Sequence, residues 1–198
     1  MPAAAVLEAI EAGQAAFGEN YVQEGVEKVL AVRQANPAAV VQWHAIGPIQ
    51  SNKSRLIAEL FDWVHSVDRI KLAQRLSEQR PANLPPLQIC LQVNIDGGAN
   101  KSGVAPSDVL ALAQEVAALP RLQLRGLMTI PEPAEGFDAQ RHPHAAAKTL
   151  FDSVRASGCV DAALFDTLSM GMTADLEAAV DAGSTMVRVG TAIFGQRG

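Results

Sequence analysis

The chain has 198 residues, of which 48% are hydrophobic and 19% charged, and its formal net charge is −5. This length buries one sizeable core, so a single domain over residues 1–198 is expected. The apolar content excludes a disordered chain, and the acidic balance argues against a nucleic-acid or acidic-membrane binder, which carries a basic surplus.

Short apolar or β-branched runs alternate with helical patterns along the chain. Helix Ala3–Ala12 ends at Gly13, a C-cap residue. A run over Ala16–Tyr21 precedes helix Glu24–Gln34. Strand Val40–Ile46 leads to helix Lys53–Leu60, and strand Trp63–Val67 to helix Ile70–Gln79. Strand Gln88–Ile95 leads through a polar loop to helix Asp108–Leu119, where Val109, Leu112, Ala113 and Val116 form the apolar stripe and Pro120 the stop. Strand Leu122–Thr129 leads to helix Ala145–Ala156, and strand Thr167–Met170 to helix Asp175–Ala182. Strand Thr185–Val189 and a short turn at Ala192–Phe194 close the series.

Continuous apolar strands alternating with helices predict βαβ units and a parallel sheet buried on both faces. There are seven such runs, and a helix comes first. A closed (β/α) barrel takes eight strands and about 250 residues. An open doubly wound sheet accommodates seven strands, though no Gly-rich dinucleotide turn is present, and an eight-stranded barrel missing its first strand also has this pattern.

Two cysteines, Cys90 and Cys159, stand without a CxxC motif, which excludes a disulfide framework and fits a reducing cytoplasm. No apolar run reaches the roughly 18 residues that span a bilayer, and the N-terminus is not a secretory signal.

Function in α/β folds gathers at the carboxyl ends of the strands. Gly171 and Thr173 stand where one strand hands over to a helix, and Gly190 and Thr191 where the next does. Exposed backbone N–H groups at such turns, approached closely because glycine lacks a side chain, bind phosphate. The plainer reading is two ordinary loops in which Thr173 only caps a helix, with Asp175 and Glu177 complementing its dipole. Arg188 lies in an apolar strand and needs a partner, either a neighbouring carboxylate or an unprotonated ligand atom. His44 reads as an interior histidine. His142 and His144 lie in a Pro- and Gly-rich loop, lack a third metal ligand, and read as surface residues. Lys53 and Arg55 open a helix whose dipole disfavours cations, a weak pointer to a nearby anion.

Three stretches carry a family resemblance: FGENYVQEGVEKV at Phe17–Val29, WHAIGPIQSNKSR at Trp43–Arg55, and LSMGMTADLEAAVDAGSTMVRVGTAIFG at Leu168–Gly195. The chain resembles the pyridoxal-phosphate homeostasis proteins over essentially its whole length. The resemblance implies a (β/α)8 TIM-type barrel like the N-terminal domain of alanine racemase. It implies pyridoxal 5'-phosphate (PLP) bound at the strand carboxyl ends by a non-catalytic cytoplasmic buffer that delivers it to PLP-dependent apoenzymes. Carried over by position, Thr173 and the backbone of Gly190 and Thr191 hold the phosphate, Arg188 faces the pyridine nitrogen, Asn20 and His44 lie near the ring, and Met170 and Gly171 wall the pocket.

The family's Schiff-base lysine falls immediately upstream of Met1, together with the first strand and the helix before it. None of Lys28, Lys53, Lys71, Lys101 and Lys148 matches that position. The expectation is therefore a barrel with its first strand missing from this chain, a native product that starts upstream, and reversible rather than covalent PLP binding. As written, the chain is expected to be a monomer or a dimer paired through its open sheet edges. Rival readings are an amino-acid racemase, disfavoured because Tyr21 is the sole tyrosine and no second domain follows, and a PLP-free scaffold.

Overall fold

Six of the seven predicted runs form strands: β1 (Ala16–Glu19), β2 (Gln42–Ala45), β3 (Trp63–Val67), β4 (Leu87–Val93), β5 (Leu122–Thr129) and β6 (Thr167–Ser169). The computed structural model describes residues 1–98 and 101–195. All six strands pair in parallel, in sequence order, in one sheet. Helix α1 (Ala3–Glu11) precedes them. The crossovers carry α2 (Val22–Ala35), α3 (Ser54–Leu60), α4 (Ile70–Gln79), α5 (Val109–Ala117) and α6 (Phe137–Ala156). Two short helices, α7 (Leu176–Asp181) and α8 (Thr191–Phe194), follow β6.

The period-2 alternation of a strand divides the interior in two. Trp43, Val64, Ile89, Leu91, Leu127 and Leu168 point to the helices and pack with Val29, Ile57, Leu76, Val116 and Phe151. Trp63, Cys90 and Met128 point the other way and form a separate small cluster with Met186. Arg80, itself buried, docks one neighbouring helix: its guanidinium donates to the carbonyls of Ala58 and Phe61 at the C-terminus of α3, both at 2.8 Å.

The sheet is strongly curled. In a flat sheet β3 and β6 lie three strand spacings apart, about 14 Å. Here His65 Nδ1 of β3 is 2.9 Å from Ser169 Oγ of β6. The amino-terminal end of this concave face is plugged by Arg125, whose guanidinium lies 4.9 Å from the Trp63 ring centre, pairs with Asp166 at 2.6 Å and donates to Gln88 at 2.8 Å.

The expected eight-stranded barrel is met in coarser form, as a curled parallel wall of six strands with β1 and β6 at its edges. The predicted last strand, Thr185–Val189, is a correction: only Met186 bridges to Ser169. Backbone pairing is short there, with the Met186 N–H donating to the Leu168 carbonyl at 3.3 Å and the Met170 N–H donating to the Met186 carbonyl at 3.1 Å, and side-chain hydroxyls supplement it. The Leu168 N–H donates to Thr185 Oγ1 at 2.8 Å, and Ser184 Oγ donates to the Met170 carbonyl at 2.7 Å. A second correction concerns the predicted loop at His142–His144. Helix α6 begins at Phe137 and runs through Pro143, and His144 is fully buried rather than on the surface.

Candidate cofactor-binding site

The ends of β1 and β2 interlock at the rim. A Cβ on Gly47 would lie 2.0 Å from the Asn20 carbonyl oxygen, so only glycine admits this approach. Asn20 is thereby fixed through its backbone just past β1, with its side chain exposed. Glu19, one residue earlier, turns away from the rim and pairs with Lys28 of α2 at 2.7 Å, both side chains buried. Lys53 donates to the neutral Gln23 amide oxygen at 3.4 Å, and Arg55 sits 3.8 Å from the Glu59 carboxylate, an intramolecular anion at this helix.

The loop after β6 is held on both sides. Gly171 takes φ +90°, and a Cβ there would meet Ala179 Cβ at 2.5 Å. Its carbonyl accepts the Arg188 N–H at 3.0 Å, which ties this loop to the last predicted strand. Asp175 accepts the Met172 N–H at 2.7 Å through Oδ1, while its Oδ2 lies 2.9 Å from His144 Nε2. Asp175 is therefore a clamp between the loop and α6, beyond the dipole complement read from sequence. The clamp delivers Thr173, whose Oγ1 lies 3.2 Å from Thr191 Oγ1. Two loops eighteen positions apart thus bring their hydroxyls together beside Gly190. A Cβ at Gly190 would have nothing within 4 Å, so the space there is open. Met170 is fully buried with Leu168 in the helix-side core, so its backbone reaches the rim and its side chain does not. A groove of about 320 Å³ opens beside Thr173 between the starts of α6 and α7, lined also by Phe137, Gln140 and Glu177.

Inside the concave face, the Arg188 guanidinium donates to Ser169 Oγ at 2.6 Å and to the Thr129 carbonyl at 2.9 Å. Its partners are a hydroxyl and a carbonyl, not the carboxylate that burial alone suggests. Ser169 Oγ contacts His65 Nδ1, and His65 Nε2 lies 2.9 Å from His44 Nδ1. The His44 ring stacks on Trp63, with ring centres 5.2 Å apart and planes 10° apart. His44 Nε2 and Thr129 Oγ1 are buried and without a hydrogen-bond partner among the described residues. Sequence reasoning missed His65; its signal was a second histidine inside an apolar strand, two positions from Trp63 and so on the same face.

Burial sets the electrostatics of this line of groups. It depresses His44 to about 4. It lowers His65 well below the usual histidine range, with the neighbouring His44 and Arg188 charges adding to the effect. It lowers Arg188 to about 10, partly offset by Cys90 and Asp175. Near neutral pH this line of groups therefore holds a cation, Arg188, beside two neutral imidazoles.

The five lysines are engaged or exposed elsewhere. Lys28 pairs with Glu19, Lys101 with Asp96 and Glu132, Lys148 with Asp152, and Lys53 with Gln23, while Lys71 is exposed on α4. No helix among the described residues is long and apolar enough to cross a membrane.

The family described as "Alanine racemase, N-terminal domain" matches residues 1–198. The pyridoxal phosphate homeostasis protein of Pseudomonas aeruginosa is 57% identical over 197 residues, covering 99% of this chain and 80% of the relative. That of Vibrio alginolyticus is 55% identical over 196 residues, covering 99% and 82%. Among solved structures, PipY of Synechococcus elongatus with PLP bound superposes with a TM-score of 0.86 at 37% identity, covering 98% of this chain and 88% of PipY. With the curled parallel wall and the paired rim loops already described, the chain belongs to the alanine racemase N-terminal domain family and, within it, to the pyridoxal phosphate homeostasis proteins.

Proposed function

We propose that this chain binds PLP reversibly at the carboxyl rim of the sheet and acts as a buffer and carrier of the cofactor, without turnover. The observation that carries this reading is the 3.2 Å approach of Thr173 and Thr191 hydroxyls beside the open space at Gly190. Two hydroxyl donors and exposed backbone N–H groups suit a phosphate ester. Arg188 would face the ring nitrogen. An arginine is a donor only, so it matches an unprotonated nitrogen. The cofactor supplies electron-withdrawing chemistry when bound, and a ring left unprotonated withdraws electrons poorly, which favours holding over catalysis. His44, Asn20 and Gly171 complete the pocket around the ring, with Met170 contributing backbone.

The non-covalent part of the reading rests on the lysines. Each paired lysine is committed to a carboxylate or amide, and none matches the family's attachment position. The remaining parts belong to the same proposal: a single domain over residues 1–198, a cytoplasmic setting, and delivery to PLP-dependent apoenzymes. The six strands and the Met186 bridge would be walls of a (β/α)8 barrel whose first strand is not among the residues of this sequence. The edges at β1 and β6 would make a monomer or an edge-paired dimer.

Equilibrium dialysis with PLP, with pyridoxal lacking the phosphate, and with inorganic phosphate as competitor tests the proposal. Saturable PLP binding that phosphate displaces, much weaker pyridoxal binding, and an unchanged protein mass after borohydride reduction are expected. PLP binding indifferent to phosphate would overturn the cradle. A stoichiometric borohydride-fixed adduct on one lysine would overturn the non-covalent reading.

A further inference from the structure

The line Arg188–Ser169–His65–His44 has a direction that proton bookkeeping determines. A guanidinium only donates, so Ser169 Oγ accepts from Arg188 Nη1 at 2.6 Å. Ser169 is fully buried, and its hydroxyl proton needs an acceptor. Among the described residues, the other group at Oγ is His65 Nδ1, at 2.9 Å. That nitrogen therefore carries the lone pair, and the neutral His65 ring keeps its proton on Nε2. His65 Nε2–H then donates to His44 Nδ1 at 2.9 Å. His44, accepting on Nδ1, keeps its own proton on Nε2, the atom that is buried and unpartnered. The reverse direction would strand the Ser169 hydroxyl proton in a dry interior, which is the costlier arrangement. Protonating either ring would place a second cation in line with Arg188, against the lowered proton affinity of both rings.

We propose that Ser169 and His65 are positioning residues that lock His44 in the Nε2–H tautomer, so that the concave face presents a fixed, neutral N–H donor to an oxygen acceptor of the bound pyridoxal ring. The ligand half of this inference rests on the PLP reading; the tautomer half does not. His44 sits on the concave side because its neighbour Trp43 points into the helix-side core, and stacking on Trp63 holds the ring plane. A buried donor without a partner is costly in the free protein and is relieved by an acceptor. The lock makes the site select acceptors and reject donors at this position, as a free histidine, able to switch tautomers, does not.

Long-range 15N–1H correlation of the ligand-free protein reads the tautomers directly. Both His44 and His65 are expected to show bare Nδ1 and protonated Nε2. His65→Gln, whose amide can accept from Ser169 and donate to His44, should keep the His44 tautomer. His65→Leu should release it to a mixture. On the ligand side, His44→Leu should weaken PLP binding about tenfold while leaving inorganic phosphate binding unchanged. A proton on His44 Nδ1 in the unsubstituted protein overturns the lock. Intact phosphate binding with PLP affinity changed less than about twofold in His44→Leu overturns the donor role. Loss of both PLP and phosphate binding in the unsubstituted protein would instead defeat the PLP reading, leaving the tautomer measurement to stand or fall alone.

Discussion

Replacing Thr173 by valine removes one hydroxyl from the rim and keeps the side-chain shape. A hydrogen bond to a charged acceptor contributes about 1.5–3 kcal/mol, so the single variant should bind PLP about 10- to 150-fold more weakly. Thr191→Val should lose a similar amount. The two hydroxyls lie 3.2 Å apart and would serve one phosphate, so the losses should not add: the double variant should fall short of the product of the two single effects. Both threonines are exposed, so neither change should move stability by more than about 0.5 kcal/mol. Thr149→Val, which removes a hydroxyl bonded only to the Ala145 carbonyl on α6, is the control and should leave affinity unchanged. Calorimetric titration with PLP at fixed ionic strength, repeated with inorganic phosphate, gives the affinities. If both single variants bind PLP like the unsubstituted protein, or if the two effects multiply in full, the hydroxyls do not share a phosphate and the cradle is wrong.

Stability should fall on the acid side. His44 titrates near 4 in the folded chain against about 6.5 when unfolded, so between these values the unfolded chain takes up the proton and the folded chain does not. The contribution is fully present above about pH 6.5, and roughly 3 kcal/mol of it is lost by about pH 4. Urea midpoints across this range should drop, with a shallower slope in His44→Gln; a flat profile would count against burial of a neutral ring. Lys28→Met leaves the buried Glu19 carboxylate without its 2.7 Å partner and should cost about 3–5 kcal/mol, whereas Glu19→Leu/Lys28→Met should recover most of it. Equal melting temperatures for the single and double variants would show that the pair carries no such penalty. Cys90 is fully buried and its thiol is pushed up to about 12, while Cys159 is half-buried. A thiol reagent should therefore modify Cys159 in the folded protein and reach Cys90 only after denaturation; rapid labelling of both would contradict the buried placement.

Periodicity and motif spacing determined much of this protein. Helix α4 runs over Ile70–Gln79 as its periodicity predicts, and six of the seven apolar runs form parallel strands in chain order. Gly171, Thr173, Gly190 and Thr191 were legible as a pair of rim loops because glycine and small hydroxyl residues at strand-to-helix turns are local signals. The chain alone did not reveal what depends on partners distant in sequence. His142–His144 reads as part of a Pro- and Gly-rich loop, yet α6 passes through Pro143, with His144 buried against Asp175 of the Thr173 loop. Thr185–Val189 reads as a strand, yet only Met186 bridges to β6, and the Ser184 and Thr185 hydroxyls satisfy further backbone groups of β6 and the residue after it. The Arg188–Ser169–His65–His44 line depends on a residue separation of 104 between Ser169 and His65, closed by the curl of the sheet. Curl arises from the accumulated twist of strands and from the packing of helices on one face, so no window of sequence contains it. Local chemistry placed Thr173 and Thr191 at strand-to-helix turns of the rim, and only the curl built by tertiary packing brought His65 to Ser169 beneath them.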